Sequence, residues 1–282
     1  MISNVEHILV AYGQQRGYHH GAKYQILRSW DQWYSRKSSS VCVVTDRPDL
    51  FTNYPIRVIE ITEAQRMEWS LGGMQHFGIK LKALEMAGHT SGADRLVLLD
   101  TDTYWIKDPM KLIGMINPKQ AVMFCDEGLV RNTKNTSIHR FTEALNNRSV
   151  PWEFGTYRLS ETARMLNSSI IGLHIKDISI LQKAFALFSV LEPLVEAHTV
   201  EQFALSETFN MEQFVLTMGA KYTSDWSSIG RKDYATPVLA DFFNEFGETA
   251  FSEHLENWQH IKIRRPFKVF ASQKIKRWLT KL

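Results

Sequence analysis

Short apolar runs recur along the first half of this chain, separated by segments with helical spacing. Val5–Ala11 (VEHILVA), Val41–Thr45, Ile56–Ile61, Arg95–Leu99 (RLVLL) and Ala121–Phe124 are such runs. Too short for buried helices, and mostly without polar alternation, they predict strands covered on both faces, as in a parallel sheet. Between them, Ile26, Leu27, Trp30 and Trp33 give Lys23 to Arg36 a helical period, and a second helix is expected over Gly78 to Ala87. The turn-rich Asp46, Arg47, Pro48 closes the second strand. Strand and helix in alternation imply an α/β architecture with a mostly parallel central sheet flanked by helices, which binds its ligands at the carboxyl ends of the strands.

The second half is less regular. Arg131 to Arg164 is polar, with Phe141, Trp152, Phe154 and Tyr157 but little clear period, and reads as a lid or an acceptor-facing insertion. A strand is expected at Ser169 to His174, and helices at Leu181 to Val190 and Met211 to Met218. No linker rich in Pro, Gly or Ser divides the chain, so one domain is expected. Cys42 and Cys125 each sit inside an apolar run, the setting of core thiols in a reducing compartment. Val5 to Tyr12 is too short to span a membrane and is interrupted by Glu6 and His7, which leads us to expect a cytoplasmic protein.

Charge is unevenly placed. Residues 261–282 hold eight basic groups and no acid, so removing them from the net +3 leaves a body of −5. An acidic body excludes a general nucleic-acid binder, while a basic tail points to one localised anionic partner. In that tail Phe267, Phe270, Ala271, Ile275, Trp278, Leu279 and Leu282 recur at three- and four-residue steps. Such a basic amphipathic helix suits the anionic inner face of the cytoplasmic membrane.

The segment that carries chemistry is RLVLLDTDTYWIKDP, Arg95 to Pro109. Its apolar run forces a buried strand, and Asp100 and Asp102 follow where that strand emerges. Side chains two apart on an extended chain point to one side, so the two carboxylates can converge. Held close, they repel unless a cation lies beside them. Magnesium and manganese prefer oxygen ligands and are commonly held by one or two carboxylates together with substrate phosphates.

With these residues in view, the chain resembles the glycosyltransferases of the A-type (GT-A) fold, especially the branch of bacterial lipopolysaccharide galactosyl- and glucosyltransferases and glycogenin. In that family an apolar strand leads into Asp-x-Asp and then Asp-Pro, as in LVLLDTDTYWIKDP. LNSSIIGLH (Leu166 to His174) resembles its Asn-x-Gly strand, with Ser169 in place of glycine, and MEQFVLTMGAKYTSDW (Met211 to Trp226) its Asp-Gln helix and Trp turn. The resemblance implies a single Rossmann-like domain over 1–260, with a nucleotide-binding half (1–126) and an acceptor-side half (127–260), followed by the basic tail at 261–282.

It also implies a nucleotide-sugar donor, a UDP-sugar being favoured, a saccharide or lipid-linked acceptor, and Mn²⁺ or Mg²⁺. Asp100 and Asp102 would bind the metal, with Thr101 between them at the donor. Ala11, Tyr12, Thr45 and Asp46 would line the base and ribose, and Lys80 or Lys82 would meet the diphosphate. Glu212 and Gln213 would stand for the catalytic, acceptor-side Asp-Gln pair. A third metal ligand would come from His260, although its surroundings (Arg265, Pro266, Phe267) lack the family's glycine and are one residue short; Asp225 and His254 are alternatives. His19 and His20, in RGYHHG, read as loop residues near donor or acceptor. Retention of configuration is implied, and the residues do not choose a base among Glu153, Glu161 and Glu212.

Three other readings compete. A phosphatase or phosphomutase with an aspartyl nucleophile wants Thr or Val where Tyr104 stands and a motif nearer the start of the fold. A sugar nucleotidyltransferase would carry a Gly-rich, Arg-Lys loop after the first strand, and AYGQQRGYHHG has Arg16 but not that pattern. A non-catalytic nucleotide-sugar-binding module would share every feature except turnover.

Overall fold

Each apolar run of the first half is a strand, and a sheet of seven runs through the described residues. The computed structural model describes residues 4–14, 16–29, 39–52, 54, 56–105, 107–132, 136–195, 197–222 and 235–236. In chain order the elements are β1 (Val5–Ala11), α1 (Arg16–Ser29), β2 (Ser39–Thr45), β3 (Arg57–Glu60), α2 (Glu63–Trp69), α3 (Gly78–His89), β4 (Arg95–Leu99), β5 (Tyr104–Trp105), α4 (Met110–Ile113) and β6 (Gln120–Leu129). They continue as α5 (Thr136–Leu145), β7 (Val150–Trp152), β8 (Gly155–Tyr157), β9 (Arg164–His174), α6 (Ile180–Val195), α7 (Val200–Met211), β10 (Val215–Met218) and β11 (Ala235–Thr236).

The central sheet has the order β10-β6-β9-β4-β1-β2-β3. All its pairs are parallel except those of β9, which runs against β4 and β6. The antiparallel insertion has a consequence for the site. Because β9 enters where its neighbours leave, Asn167 to Ser169 in its first half lie beside the carboxyl end of β4, and the Asp100 amide donates to the Ser169 carbonyl at 3.0 Å.

Two apolar layers clamp the sheet. Leu9, Val43, Val97, Leu99, Phe124 and Ile170 pack on one face with α1 and α4; Ile8, Leu98, Met123 and Ile171 pack on the other with α3, α6 and α7. The segment Ile175–Val195 is apolar and long enough to cross a membrane, but its Leu181, Ala184, Leu187, Phe188 and Leu191 are buried in the fold.

The structure corrects the sequence reading at four places. α1 begins well before Lys23, so Tyr18, His19 and His20 are helical, and His19 is buried. Residues 30–38 of the expected helix lie outside the described residues. The helix α2 was not expected; Thr62 and Gln65 close it with a capping box. The polar stretch 131–164 carries α5 and the hairpin β7–β8, and Ile138, Phe141, Leu145 and Tyr157 seal a third apolar cluster with Phe203 of α7. Last, Met211 to Met218 is no helix. The α7 helix stops at Met211, Gln213 takes a left-handed φ of 57°, and Val215–Met218 becomes the edge strand β10. The expected helix at 267–282 lies outside the described residues.

Candidate functional site

The carboxyl ends of β6, β4, β1 and β2, together with the start of β9, form one edge, and the polar residues of that edge converge. Asp100 opens a tight turn in which the Thr103 amide donates to the Asp100 carbonyl at 3.0 Å. Thr101 and Thr103 are buried and anchor the turn, while Asp100 and Asp102 remain half-buried at its surface. Lys80, from α3, places Nζ 2.7 Å from Asp100 Oδ1 and donates to Ser168 Oγ at 3.1 Å. Lys82, its alternative, turns instead to Glu85 on its own helix.

A third acid joins them. Glu201, near the start of α7 and 2% exposed, accepts from Ser168 Oγ at 3.2 Å through Oε2. Its Oε1 is buried without a hydrogen-bond partner among the described residues. Burial pushes its carboxyl up to about 7, with Asp100 adding to the rise and Lys80 opposing it. Asp102 is raised to about 6, chiefly by burial and then by the charge of Asp100, against the pull of Lys80 and a hydrogen bond from Thr103. Lys80 runs the other way: burial disfavours its charge, but Asp100, Glu201 and Asp102 outweigh that and raise its pKa. Three carboxyl groups thus share one ammonium, and two of them hold protons more tightly than usual, which leaves the cluster short of positive charge.

At the neighbouring strand ends, Ala11 and Thr45 are fully buried, backbone included, so neither presents a surface to a ligand. Thr45 Oγ1 accepts from the Arg47 amide, and Asp46 accepts from the Gly13 amide at 2.8 Å, tying the ends of β1 and β2 together. Tyr12 stacks on Tyr18 with ring centroids 6.1 Å apart and donates its hydroxyl to the His76 carbonyl. Burial raises the Tyr18 hydroxyl, and Asp102 and Asp100 raise it further, which places this half-exposed ring beside the acidic turn.

On the far side of β9 lies a cleft of about 680 Å³, lined by Asp126, Glu127, Gly128, the Met218–Lys221 segment and Tyr222. Arg164 neutralises Asp126 at 2.7 Å. Glu127 accepts from the Asn167 amide at 2.9 Å, and burial lifts its pKa.

Glu212 and Gln213 are not brought to this edge. They follow α7 at the opposite, amino edge of the sheet, where Glu212 is held by Lys183 and Lys119 at the entry to β6, and these two lysines pull its pKa down. They form a surface ion cluster at the opposite end of the strands from Asp100 and Asp102. The acid-glutamine pair that α7 does bring toward the edge is Glu201-Gln202, both buried. The sequence signal for it is slight, two polar residues at the head of an apolar helix; the nearness of Glu201 to Lys80 comes only from the fold. Glu153 is exposed and Glu161 pairs with Arg131 at the surface, so neither enters the site. Asp225, His254 and His260 lie outside the described residues.

Among the described residues no group of three His, Cys, Asp or Glu side chains is arranged to hold a metal ion. Asp100 and Asp102 carry the oxygen donors that an ion of the magnesium or manganese type takes, one or two carboxylates with its other positions left to phosphate oxygens and water, and Lys80 is paired with Asp100 at 2.7 Å.

Fold and site together define an α/β protein with an acidic turn at the carboxyl edge of its sheet and a cleft beside it across β9. No protein-family model matches the sequence, and no curated protein matches it.

Proposed function

We propose that this chain is a glycosyltransferase that moves a sugar from a nucleoside-diphosphate donor, a UDP-sugar being favoured, to a hydroxyl of a saccharide or glycolipid. One observation supports the reading above the others: Asp100, Asp102, Lys80 and Ser168 converge at the carboxyl edge of the sheet, with the 680 Å³ cleft directly across β9. A divalent ion held by Asp100 and Asp102 would supply Lewis-acid stabilisation of the departing diphosphate. Lys80 adds a buried cation beside the same phosphates; Asp100, 2.7 Å away, keeps the ammonium charged, and Glu201 holds the Ser168 hydroxyl that the ammonium also meets. Tyr12, Tyr18 and Asp46 flank the base and ribose. On the acceptor side Glu127, fixed by Asn167, holds a sugar hydroxyl, and Tyr222 offers an aromatic face. Such work would be done in the cytoplasm, with residues 261–282 docking the protein on the inner membrane face.

Thermal-shift measurements with a panel of nucleotide sugars, each with and without Mn²⁺, test the proposal. A donor at about a hundredfold over its Kd should stabilise by about 2.7 kcal/mol, and the shift should need sugar nucleotide and metal together. Release of UDP on adding acceptor saccharides would establish transfer; binding without release would favour the binding-module reading. If no nucleotide sugar shifts the transition with either Mn²⁺ or Mg²⁺, the proposal fails.

A further inference from the structure

α1 carries two residues that make poor sense as helix formers. Gly21 stands in its interior, where glycine costs about 1 kcal/mol relative to alanine. Gln25, one turn later and 1% exposed, buries an amide whose Oε1 has no hydrogen-bond partner among the described residues, a defect of about 1–3 kcal/mol. Both lie on the face turned toward the acidic turn. A Cβ on Gly21 would come within 2.2 Å of the Thr101 carbonyl oxygen, so only glycine lets the helix approach that closely. The Nε2 of Gln25 donates to the Asp100 carbonyl at 2.5 Å, and Tyr24 meets Tyr104, just past the turn, edge to face at 5.9 Å.

Two locally unfavourable choices one turn apart, set against two successive peptides of the same turn, are expected where function outweighs stability. We infer that α1 is the aiming element of the Asp100–Asp102 turn, with Gly21 and Gln25 as positioning residues that fix where its carboxylates point. The inference rests on the reading that this turn holds a cation and a diphosphate. Its content is separate: neither residue touches a ligand, and both act through the backbone of residues 100 and 101. The Asp100 carbonyl accepts two donors, the Gln25 amide from outside the turn and the Thr103 amide from within it. Removing the outer donor leaves the turn closed but free to pivot.

Gln25→Met distinguishes aiming from mere packing. Methionine keeps the volume, deletes the donor and also deletes the unpartnered Oε1, so a purely structural role predicts a protein of equal or slightly greater thermal stability and unchanged binding. Aiming predicts that same stability together with about a five- to tenfold weaker affinity for UDP in the presence of Mn²⁺, the size of one well-made hydrogen bond. It also predicts faster amide hydrogen exchange across residues 101–103 in the ligand-free protein. Gly21→Ala should lose more, since backbone must move. If Gln25→Met binds Mn²⁺ and UDP as the parent does, and exchange over 101–103 is unaltered, the inference is overturned. Should the parent itself fail to bind Mn²⁺ with UDP, the donor reading falls, and the exchange measurement alone decides on α1: faster exchange sustains the aiming role and equal exchange ends it.

Discussion

Replacing Glu201 by Gln converts a buried group that titrates near neutrality into one that does not titrate, and the consequence can be worked from its surroundings. In the unfolded chain this carboxyl loses its proton near 4.5; in the fold, burial above all, then Asp100, hold the proton until about 7, Lys80 opposing. The folded state therefore binds the proton more tightly than the unfolded state. Its contribution to stability is fully present below pH 4.5 and is lost as the pH rises through 7. At about 1.4 kcal/mol per unit, the ceiling is about 3 kcal/mol across that window. Urea unfolding of parent and Glu201→Gln at pH 4.5 and at pH 8 gives the difference between the two proteins at each pH, in which the other titrating groups largely cancel. The variant should gain on the parent by about 1–3 kcal/mol between the two conditions. Glutamine can still accept from Ser168 Oγ, so the fold should persist. An unchanged difference at both pH values would mean that Glu201 is already ionised in the fold, and that its pairing with Lys80 outweighs its burial.

Three further outcomes follow from the same structure. Asp100→Asn and Asp102→Asn should each weaken Mn²⁺-dependent nucleotide-sugar binding at least tenfold by calorimetry, about 1.4 kcal/mol, while Glu212→Gln, at the opposite sheet edge, should leave it unchanged. Arg57→Met should destabilise by about 3–5 kcal/mol in chemical denaturation, because it strands Glu6, 3% exposed and paired through two hydrogen bonds at 3.0 and 2.6 Å. Truncation at Ile263 should abolish sedimentation with vesicles rich in anionic lipid, each basic residue near the surface contributing about 1 kcal/mol; equal sedimentation of the truncated chain would end the membrane assignment.

The parts of this fold that could be read from sequence are those in which burial alone decides. β1 and β4 run over the residues expected, because a strand covered on both faces is mostly apolar and its limits show, even where β1 buries Glu6 and His7. The same holds for Asp100 and Asp102, which mark the point where such a run meets water. Only the first half of α1 escaped, the expected helix starting at Lys23, because buried polar residues (His19, Lys23 and Gln25) alternate with Ala22, Tyr24 and Ile26 and blur its apolar stripe. Where polar groups point inward, the signal of secondary structure weakens: Gln25 meets the Asp100 carbonyl, while His19 and Lys23 meet Asp46 and Phe51 beside it. α5 is a different case, since Ile138, Phe141 and Leu145 do recur at helical steps inside a polar stretch.

The misplacement of Glu212 and Gln213 has the most physical content. Phe214, Leu216 and Met218 alternate, which is the period of a strand, and all three pack into the core that Leu205 and Phe209 share. Read as a helix, that segment carries the acid-glutamine pair to the ligand edge. Read as a strand entered through a left-handed Gln213, it leaves the pair at the amino edge, because β10 runs parallel to β6 and must start where β6 starts. Parallel pairing thus fixes which end of the sheet each acid occupies. By that constraint α7, which returns the chain from the carboxyl edge to the start of β10, brings Glu201 to Lys80 at its head and leaves Glu212 with Lys119 and Lys183 at its tail.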